Sequence, residues 1–324
     1  MFQQDYHSNT NKKRQTLVMK KILSCASLFL CLMLDQSASA QTWIGVSYKL
    51  SEKKDGKKPI LKSIRLSSKL SLEYVEQGDS LGTPVLFLHG YSDSWHSYES
   101  VLPLLPNNIH AFVISQRGHG NSSCPSKGYT MTHFANDIAS FVEKLKLGPV
   151  IIVGHSMGGT VAQRFVIDHP ELVKGFVLVG SFANYNNEVI AELYKDVLKL
   201  TDPVDRSFVT EFQKSCIAKP IPEKSFNIYV NESLKLPARI WKSVLTELLP
   251  VDYTTELKKI NKPALILWGD SDAIVHQKDQ DMLVKAIQNS RLVVYKGVGH
   301  SMQWEEPGRF AKDLVEFIDS INNP

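Results

Sequence analysis

The sequence lacks the patterns that metal, redox-cofactor or nucleotide chemistry requires. It contains four cysteines in 324 residues, and no group of cysteines and histidines has the spacing of a metal site. The phosphate-cradling patterns Gly-x-Gly-x-x-Gly and Gly-x-x-x-x-Gly-Lys are also absent. We therefore expect an activity without a cofactor or a bound metal.

A strong charge of either sign is lacking too. The formal net charge is +4, and 43% of the residues are hydrophobic against 22% charged, which is ordinary for a globular protein. Residues 41–70 carry eight basic residues against two acidic ones, but such a stretch is typical of a solvated entry segment. We expect no nucleic-acid partner, and the oligomeric state stays open.

No apolar run reaches the roughly 20 residues that span a bilayer. One shorter run, residues 22–34, follows two lysines and precedes the small-residue sequence Ala-Ser-Ala that ends at Ala40. These are the features of a cleavable signal peptide. We expect residues 1–40 to be an extension plus signal, cleaved near Ala40, and the mature chain to be secreted or periplasmic without a stable membrane span. Whether translation starts at Met1 or at Met19 stays open.

Removal of the signal leaves two cysteines, Cys124 and Cys216, far apart in the sequence. The predicted compartment permits disulfides. One bridge between these two residues and two unpaired thiols are both compatible with the sequence.

Short strands rich in β-branched residues alternate with helical patterns from about residue 60 onward. Two of them, 61–67 and 70–77, flank a Ser-Lys turn and indicate an antiparallel hairpin. Six further strands are too uniformly apolar for burial on one face only, which is typical of parallel strands covered by helices on both faces. The alternation predicts an α/β protein with a mostly parallel twisted sheet of about eight strands.

The alternation is interrupted once, by a long segment with helical spacing and little strand signal. A structureless loop of about 80 residues is implausible in a compact domain. We predict a helical cap over residues 182–260, inserted between two parts of the core at 41–181 and 261–324.

The most informative segment is PVIIVGHSMGGTVAQRF, residues 149–165. A buried strand leads to Ser156, a helical pattern follows, and three glycines flank the turn between them. This arrangement is typical of a nucleophile elbow, which exposes a serine hydroxyl above the sheet. It also places the N–H of Met157 at a helix N-terminus, where a developing oxyanion is stabilised. A glycine turn with an incidental serine is the alternative.

A serine nucleophile needs a base, and the base needs an orienting acid. The strand ALILW is followed by a loop with Asp270 and Asp272, and the next strand ends in Val-Gly-His at His300. Both loops lie at carboxyl ends of strands, where open α/β sheets build their sites. His300 is therefore the predicted base, and the residues alone allow either aspartate as the acid.

Together these motifs resemble the α/β-hydrolase superfamily, in its cap-bearing esterase, epoxide-hydrolase and C–C-hydrolase branch. The resemblance covers roughly residues 60–320. The sequence His-Gly-Tyr ending at Tyr91 is similar to the oxyanion loop of that family. The sequence Arg-Gly-His-Gly-Asn-Ser, which begins at Arg117, is similar to the loop that follows the fourth strand in that family. The resemblance implies an α/β-hydrolase fold, Asp272 as the acid, and the backbone N–H of Tyr91 as the second oxyanion donor.

Three positions depart from the branch. Ser115 stands where the family often has aspartate, so the hydrogen-bond network around that loop is not predicted. Epoxide hydrolases and haloalkane dehalogenases use an aspartate nucleophile where this chain has Ser156, which argues against both. The C–C hydrolases often carry asparagine before the nucleophile, where this chain has His155.

The resemblance implies a serine hydrolase that cleaves a small to medium carboxylic ester or lactone through an acyl-enzyme, and the signal pattern adds that it is secreted or periplasmic. His300 takes the proton from Ser156, the N–H groups of Tyr91 and Met157 hold the oxyanion, and Asp272 orients the imidazole. One alternative is hydrolysis of a C–C or amide bond on the same triad. Another is a ligand-binding or sensor protein that retains a slow hydrolase site.

Four apolar residues are candidates for the substrate-binding wall: Trp95, Trp241, Ile274 and Met302. Apolar residues at such positions are more often core packing, which is the alternative for each of them. A helical cap over the site favours an enclosed small-molecule pocket.

Overall fold

The structure is a computed structural model and describes residues 58–323. The predicted signal segment and the first residues of the predicted core lie outside the described residues. Within the described part, no helix is long and apolar enough to cross a membrane.

Within residues 58–323, eight strands form a single sheet. They are β1 Ile60–Ser67, β2 Leu70–Gln77, β3 Thr83–Leu88, β4 Ile109–Ile114, β5 Val150–His155, β6 Val173–Val179, β7 Ala264–Gly269 and β8 Ser290–Tyr295. Their order across the sheet is β1-β2-β4-β3-β5-β6-β7-β8. The β1–β2 and β2–β4 pairs are antiparallel and all other pairs are parallel. The predicted hairpin and the mostly parallel sheet are therefore confirmed.

Helices cover both faces of this sheet. The core helices are α1 Met131–Leu145, α2 Met157–Asp168, α7 Gln277–Ala286, α8 Met302–Glu305 and α9 Pro307–Asn322. Successive residues of β5 enter two different apolar clusters, with Val150 and Ile152 in one and Ile151 and Val153 in the other. Because both faces are buried, the strand shows no alternation of polar and apolar residues.

Four helices lie between β6 and β7, and we call them the cap helices. They are α3 Glu188–Val197, α4 Arg206–Ser215, α5 Glu223–Leu234 and α6 Ala238–Leu248. Their apolar sides join the cluster that covers one face of the sheet. The cap helices therefore close over the core instead of forming a separate unit with a core of its own.

The loop after β4 is fixed to α1 by a buried ion pair. Arg117 donates through Nε and Nη2 to the two carboxylate oxygens of Asp137, both at 2.5 Å, and through Nη1 to the carbonyl of Gly128 at 2.6 Å. The two paired side chains are only 10% and 9% exposed. This bidentate pair holds the Arg-Gly-His-Gly loop in one geometry.

A neighbouring strand supplies the carboxylate that the fourth-strand loop lacks at position 115. Ser115 donates to Oε2 of Glu73 at 2.9 Å, and the side-chain amide of Asn121 donates to Oε1 at 2.5 Å. The sequence did not indicate this network, because Glu73 lies on β2, far from the loop in the chain.

The two cysteines of the described chain do not form a disulfide. Cys124 is exposed beside the guanidinium of Arg239, whereas Cys216 is buried at the end of α4. The bridge that the sequence left open is therefore absent.

We predict that Asp137→Ala lowers the free energy of unfolding by about 3–5 kcal/mol, because it leaves the buried Arg117 guanidinium without its counter-charge. Urea denaturation followed by circular dichroism measures the change. The control is Lys195→Ala, which removes an exposed ion pair with Glu192 and should cost less than about 1 kcal/mol. Equal effects of the two substitutions would contradict the prediction.

Candidate active site

Ser156 lies on a sharp turn between β5 and α2, with φ +50° and ψ −115°. Glycines make the turn sterically possible. A Cβ on Gly154 would lie 2.2 Å from the carbonyl oxygen of Gly158, and a Cβ on Gly158 would lie 2.4 Å from that of Leu88. The side chain of Ser156 does not cap α2 and instead lines a cavity. The local structure is thus the elbow predicted from the sequence.

His300 is oriented by Asp272. Its Nδ1 lies 2.8 Å from Oδ2 of Asp272, while Oδ1 of the same carboxylate accepts the backbone N–H groups of Ile274 and Val275 at 2.8 and 2.9 Å. In the neutral imidazole, an accepting carboxylate places the ring proton on Nδ1 and the lone pair on Nε2. His300 and Ser156 line the same cavity.

The other aspartate of the loop has a different position. Asp270 accepts the N–H of Gly297 at 2.6 Å and forms an ion pair with Lys296 at 3.2 Å. Its contacts bind two loops together on the surface side, away from His300. Of the two aspartates that the residues allowed, the structure brings Asp272 to the histidine.

Two residues beside Ser156, Tyr91 and Met157, have backbone N–H groups that no protein acceptor in the described residues uses. Met157 is the first residue of α2, where an N–H has no intrahelical acceptor. Within residues 58–323, the N–H of Tyr91 likewise donates to no other protein group. Both residues line the cavity, so the two groups are available to a negatively charged oxygen.

The side chain of Tyr91 connects this oxyanion loop to the cap helices. Its hydroxyl donates to the carbonyl oxygen of Trp241, and its ring meets the rings of Trp241 and Phe212 edge to face at 5.1 and 5.9 Å. The cap helices therefore hold the loop that carries a predicted oxyanion donor.

The cavity is lined by residues of the core loops and of the cap helices. Ser156, His300, Tyr91, Met157 and Ile274 all line it. A large apolar part comes from the segment after β6 and from α3 and α6, through Phe182, Tyr185, Ile190, Leu193, Leu245 and Leu248. A smaller polar part includes Asp93, His155 and Gln213.

Three of the four predicted wall residues do not line the cavity. Trp241 is fully buried between Tyr91, Phe208 and Phe212, so it supports the wall from behind. Met302 belongs to the apolar cluster on the opposite face of the sheet. Trp95 stacks on His96 at 3.8 Å outside the cavity. Their closeness in sequence to catalytic positions did not place them at the site, because Trp241 and Met302 are packed in apolar clusters and Trp95 packs against the edge of one.

The polar part of the cavity was missed by sequence reasoning. Asp93 is buried, and its Oδ1 accepts from Nε2 of Gln213 at 3.0 Å. Burial raises the pKa of Asp93 to about 7, against the opposing effect of that hydrogen bond. The sequence signal that could have pointed to Asp93 was its place three residues after Gly90, in the predicted oxyanion loop. Gln213 offered none, since the orientation of α4 cannot be read from its sequence.

Comparison with known proteins yields related sequences and folds. A family model described as alpha/beta hydrolase fold matches residues 83–307. Monoacylglycerol lipase ABHD6 of Rattus norvegicus is 28% identical over 259 residues, 74% of this chain and 76% of that protein. A non-heme haloperoxidase of Rhodococcus erythropolis is 28% identical over 257 residues, which are 74% of this chain and 93% of that protein. The solved esterase EaEST from Exiguobacterium antarcticum superimposes with a TM-score of 0.73 at 25% identity, covering 80% of this chain and all of that one.

We predict that Asp93→Asn gains stability relative to the wild type as the pH rises from about 4 to about 7. The buried carboxyl keeps its proton up to about pH 7, whereas the unfolded chain loses it near pH 3.9. The folded state therefore binds more protons in this window, and wild-type stability falls by up to about 4 kcal/mol as the pH rises. The asparagine cannot ionise and escapes this loss.

Urea unfolding of both proteins at several pH values measures the difference in free energy of unfolding. A difference that stays constant between pH 4 and pH 7 would contradict the raised pKa. Only the change of this difference with pH tests the raised pKa, since the altered hydrogen bonds of the amide add an offset that does not vary with pH.

Proposed function

This chain is a member of the α/β-hydrolase family, and from that premise we propose that it is a serine hydrolase that cleaves a carboxylic ester or lactone through an acyl-enzyme on Ser156. The observation that carries the proposal is the 2.8 Å contact between His300 and Asp272 at a cavity that Ser156 also lines. In its neutral form such a histidine can accept the serine proton at Nε2, because the carboxylate of Asp272 holds the ring proton on Nδ1.

The reaction begins when the hydroxyl of Ser156 attacks the acyl carbon while Nε2 of His300 takes its proton. The N–H groups of Tyr91 and Met157 stabilise the oxyanion, and each such donor is typically worth roughly 3 kcal/mol of the barrier. Asp272 stabilises the imidazolium. His300 then gives the proton to the leaving alcohol, and water hydrolyses the acyl-enzyme by the same steps.

The shape and lining of the cavity support a substrate with an apolar acyl group. The apolar part of the wall lies over the N-terminal end of α2, where the hydroxyl of Tyr185 contacts that of Thr160 at 2.7 Å. A mostly apolar cavity covered by the cap helices suits a compact ester and not a long polymer. A lipase and an esterase are among the proteins that the chain resembles.

The serine at position 156 also bears on the reaction class. Members of the fold with an aspartate nucleophile open epoxides or displace halides, and this chain offers no carboxylate at the elbow. We propose that the enzyme acts after export, since residues 22–40 have the pattern of a cleavable signal.

Our test of the reaction uses the protein from Gln41 onward and a panel of p-nitrophenyl esters and lactones. Ser156→Ala should remove turnover, and Asp272→Asn should lower kcat by about four orders of magnitude because the histidine loses its orienting carboxylate. The matched control is Asp270→Asn, two residues away on the same loop, which should retain turnover. Equal loss in both aspartate variants would contradict the assignment of the acid.

Export is checked separately, by expression of the full chain with its first 40 residues. We expect protein outside the cytoplasm with Gln41 at its N-terminus, as determined by N-terminal sequencing. An intact N-terminus on protein retained in the cytoplasm would contradict the signal peptide.

A further inference from the structure

Three consecutive residues of the oxyanion loop each contact a different cap helix. The hydroxyl of Tyr91 donates to a backbone carbonyl of α6, as described above. The hydroxyl of Ser92 lies 3.1 Å from that of Ser233 on α5. Oδ1 of Asp93 accepts from Nε2 of Gln213 on α4 at 3.0 Å. The cap helices are therefore attached to this loop at three successive positions.

Gln213 joins the contacts of Ser92 and Asp93 into one network. Its amide nitrogen donates to Oδ1 of Asp93 and also, at 2.7 Å, to the hydroxyl of Ser233. Because Ser233 accepts from Gln213, its own proton is available to the hydroxyl of Ser92. All four residues are buried, with exposures between 0% and 4%, so bulk water does not compete for these hydrogen bonds. We call Ser92, Asp93, Gln213 and Ser233 the cap–loop network.

The network ends on a tight turn whose conformation needs support. The N–H of Asp93 donates to the carbonyl oxygen of Gly90 at 3.3 Å and closes the turn, and Tyr91 and Ser92 are its two central residues. Ser92 has φ +67°, a value for which glycine is favoured at the third position of a turn. A serine persists there only when its surroundings hold it. The contact of its hydroxyl with Ser233 supplies part of that support.

The same turn packs against the segment that carries the nucleophile. A Cβ on Gly90 would lie only 2.7 Å from Nδ1 of His155, the residue before Ser156. The turn is thus enclosed between the end of β5 on one side and the cap helices α4 and α5 on the other. The N–H of Tyr91 belongs to the first peptide group of this turn, so its position depends on the contacts of both sides.

Resting on the proposed function, we propose that Asp93 and Gln213 are positioning residues of the reaction. Through the cap–loop network they hold the turn so that the N–H of Tyr91 meets the oxygen that becomes negatively charged. An oxyanion donor acts mainly in the transition state. Loss of the network therefore lowers kcat and leaves KM nearly unchanged. In this role the cap helices take part in catalysis, beyond covering the cavity.

The charge state of Asp93 is compatible with this role. Burial raises its pKa to about 7, against the opposing effect of the hydrogen bond from Gln213. Below neutrality the carboxyl is largely protonated, and with the proton on Oδ2 its Oδ1 still accepts from Gln213. The neutral carboxyl adds no negative charge to the cavity in which the oxyanion forms. Under these conditions an asparagine reproduces both its shape and its acceptor.

The test measures kcat and KM for p-nitrophenyl esters with the protein from Gln41 onward, just below neutrality, where Asp93 is largely neutral. Asp93→Leu removes the acceptor and Gln213→Met removes both donors, each at similar volume. We expect either variant to lower kcat by about tenfold or more and to change KM by less than about twofold. Asp93→Asn keeps an acceptor for Gln213 and should retain kcat within about threefold.

Two further variants separate positioning from direct contact with the substrate. Ser233 does not line the cavity, and Ser233→Ala breaks the network at its centre, so it should lower kcat by about threefold or more at constant KM. When Asp93→Leu and Gln213→Met are combined, the loss of kcat should equal that of the stronger single variant, because both act through one contact. The matched control is Tyr194→Phe, which removes a 3.1 Å hydroxyl contact with Thr246 within the cap helices and should retain kcat.

An alkyl trifluoromethyl ketone gives a second readout of the oxyanion site. The oxygen of Ser156 adds to its carbonyl carbon, the carbonyl oxygen takes the electron pair and becomes an oxyanion, and His300 takes the proton of the serine. We expect the inhibition constant to rise in each network variant by the factor by which kcat/KM falls. The corresponding trifluoromethyl alcohol cannot add to the serine, so its inhibition constant should stay unchanged.

All kcat values are expressed per Ser156 that an alkyl fluorophosphonate labels at completion, so that unfolded protein is not counted. Ser233→Ala, the smallest change, decides the outcome if a variant of Asp93 or Gln213 does not fold. Three results would overturn the proposal: unchanged kcat in the network variants, a rise in KM that accounts for the loss, or losses that multiply in the combined variant. Each of these leaves the wild type active, whereas absence of wild-type turnover on every ester overturns the proposed function instead.

Discussion

The backbone turn at Ser156 is the constraint on which the rest of the site depends. A non-glycine residue at φ +50° is strained by roughly 1–3 kcal/mol and persists only when its surroundings hold it. Here β5 and α2 approach so closely that Gly154 and Gly158 have no room for a Cβ. This close approach places the serine side chain in the cavity wall and Met157 at the first position of α2, where its N–H has no intrahelical acceptor.

Parallel strands bring the remaining groups to this point. The loops that follow β3, β7 and β8 carry Tyr91, Asp272 and His300. Because these strands run parallel to β5, the carboxyl ends of all four strands lie at the same edge of the sheet. The cap helices supply the remaining wall of the cavity. They hold the oxyanion loop through the side chain of Tyr91 and give the cavity one apolar and one polar part.

Sequence patterns predicted the parts of this protein that depend on local chemistry. Uniformly apolar strands and the glycine-flanked serine each have a local physical reason, and the sheet and the turn at Ser156 correspond to them. The residues allowed Asp270 or Asp272 as the acid, and only the resemblance to the family pointed to Asp272, which contacts His300. Contacts between distant segments were not readable. Trp241 looked available for substrate, yet it packs behind Tyr91, and Gln213 meets Asp93 only because α4 folds over the oxyanion loop. Glu73 in the network of Ser115 is a third case of the same kind.

The central claim is that Ser156 becomes covalently acylated, and active-site trapping tests it most directly. The protein from Gln41 onward is incubated with an alkyl fluorophosphonate, and intact-mass spectrometry followed by peptide mapping locates the adduct. The account predicts one adduct per chain on Ser156 in the wild type and in Asp270→Asn, and none in Ser156→Ala. Unchanged labelling in Ser156→Ala, or an adduct on another residue, would contradict it.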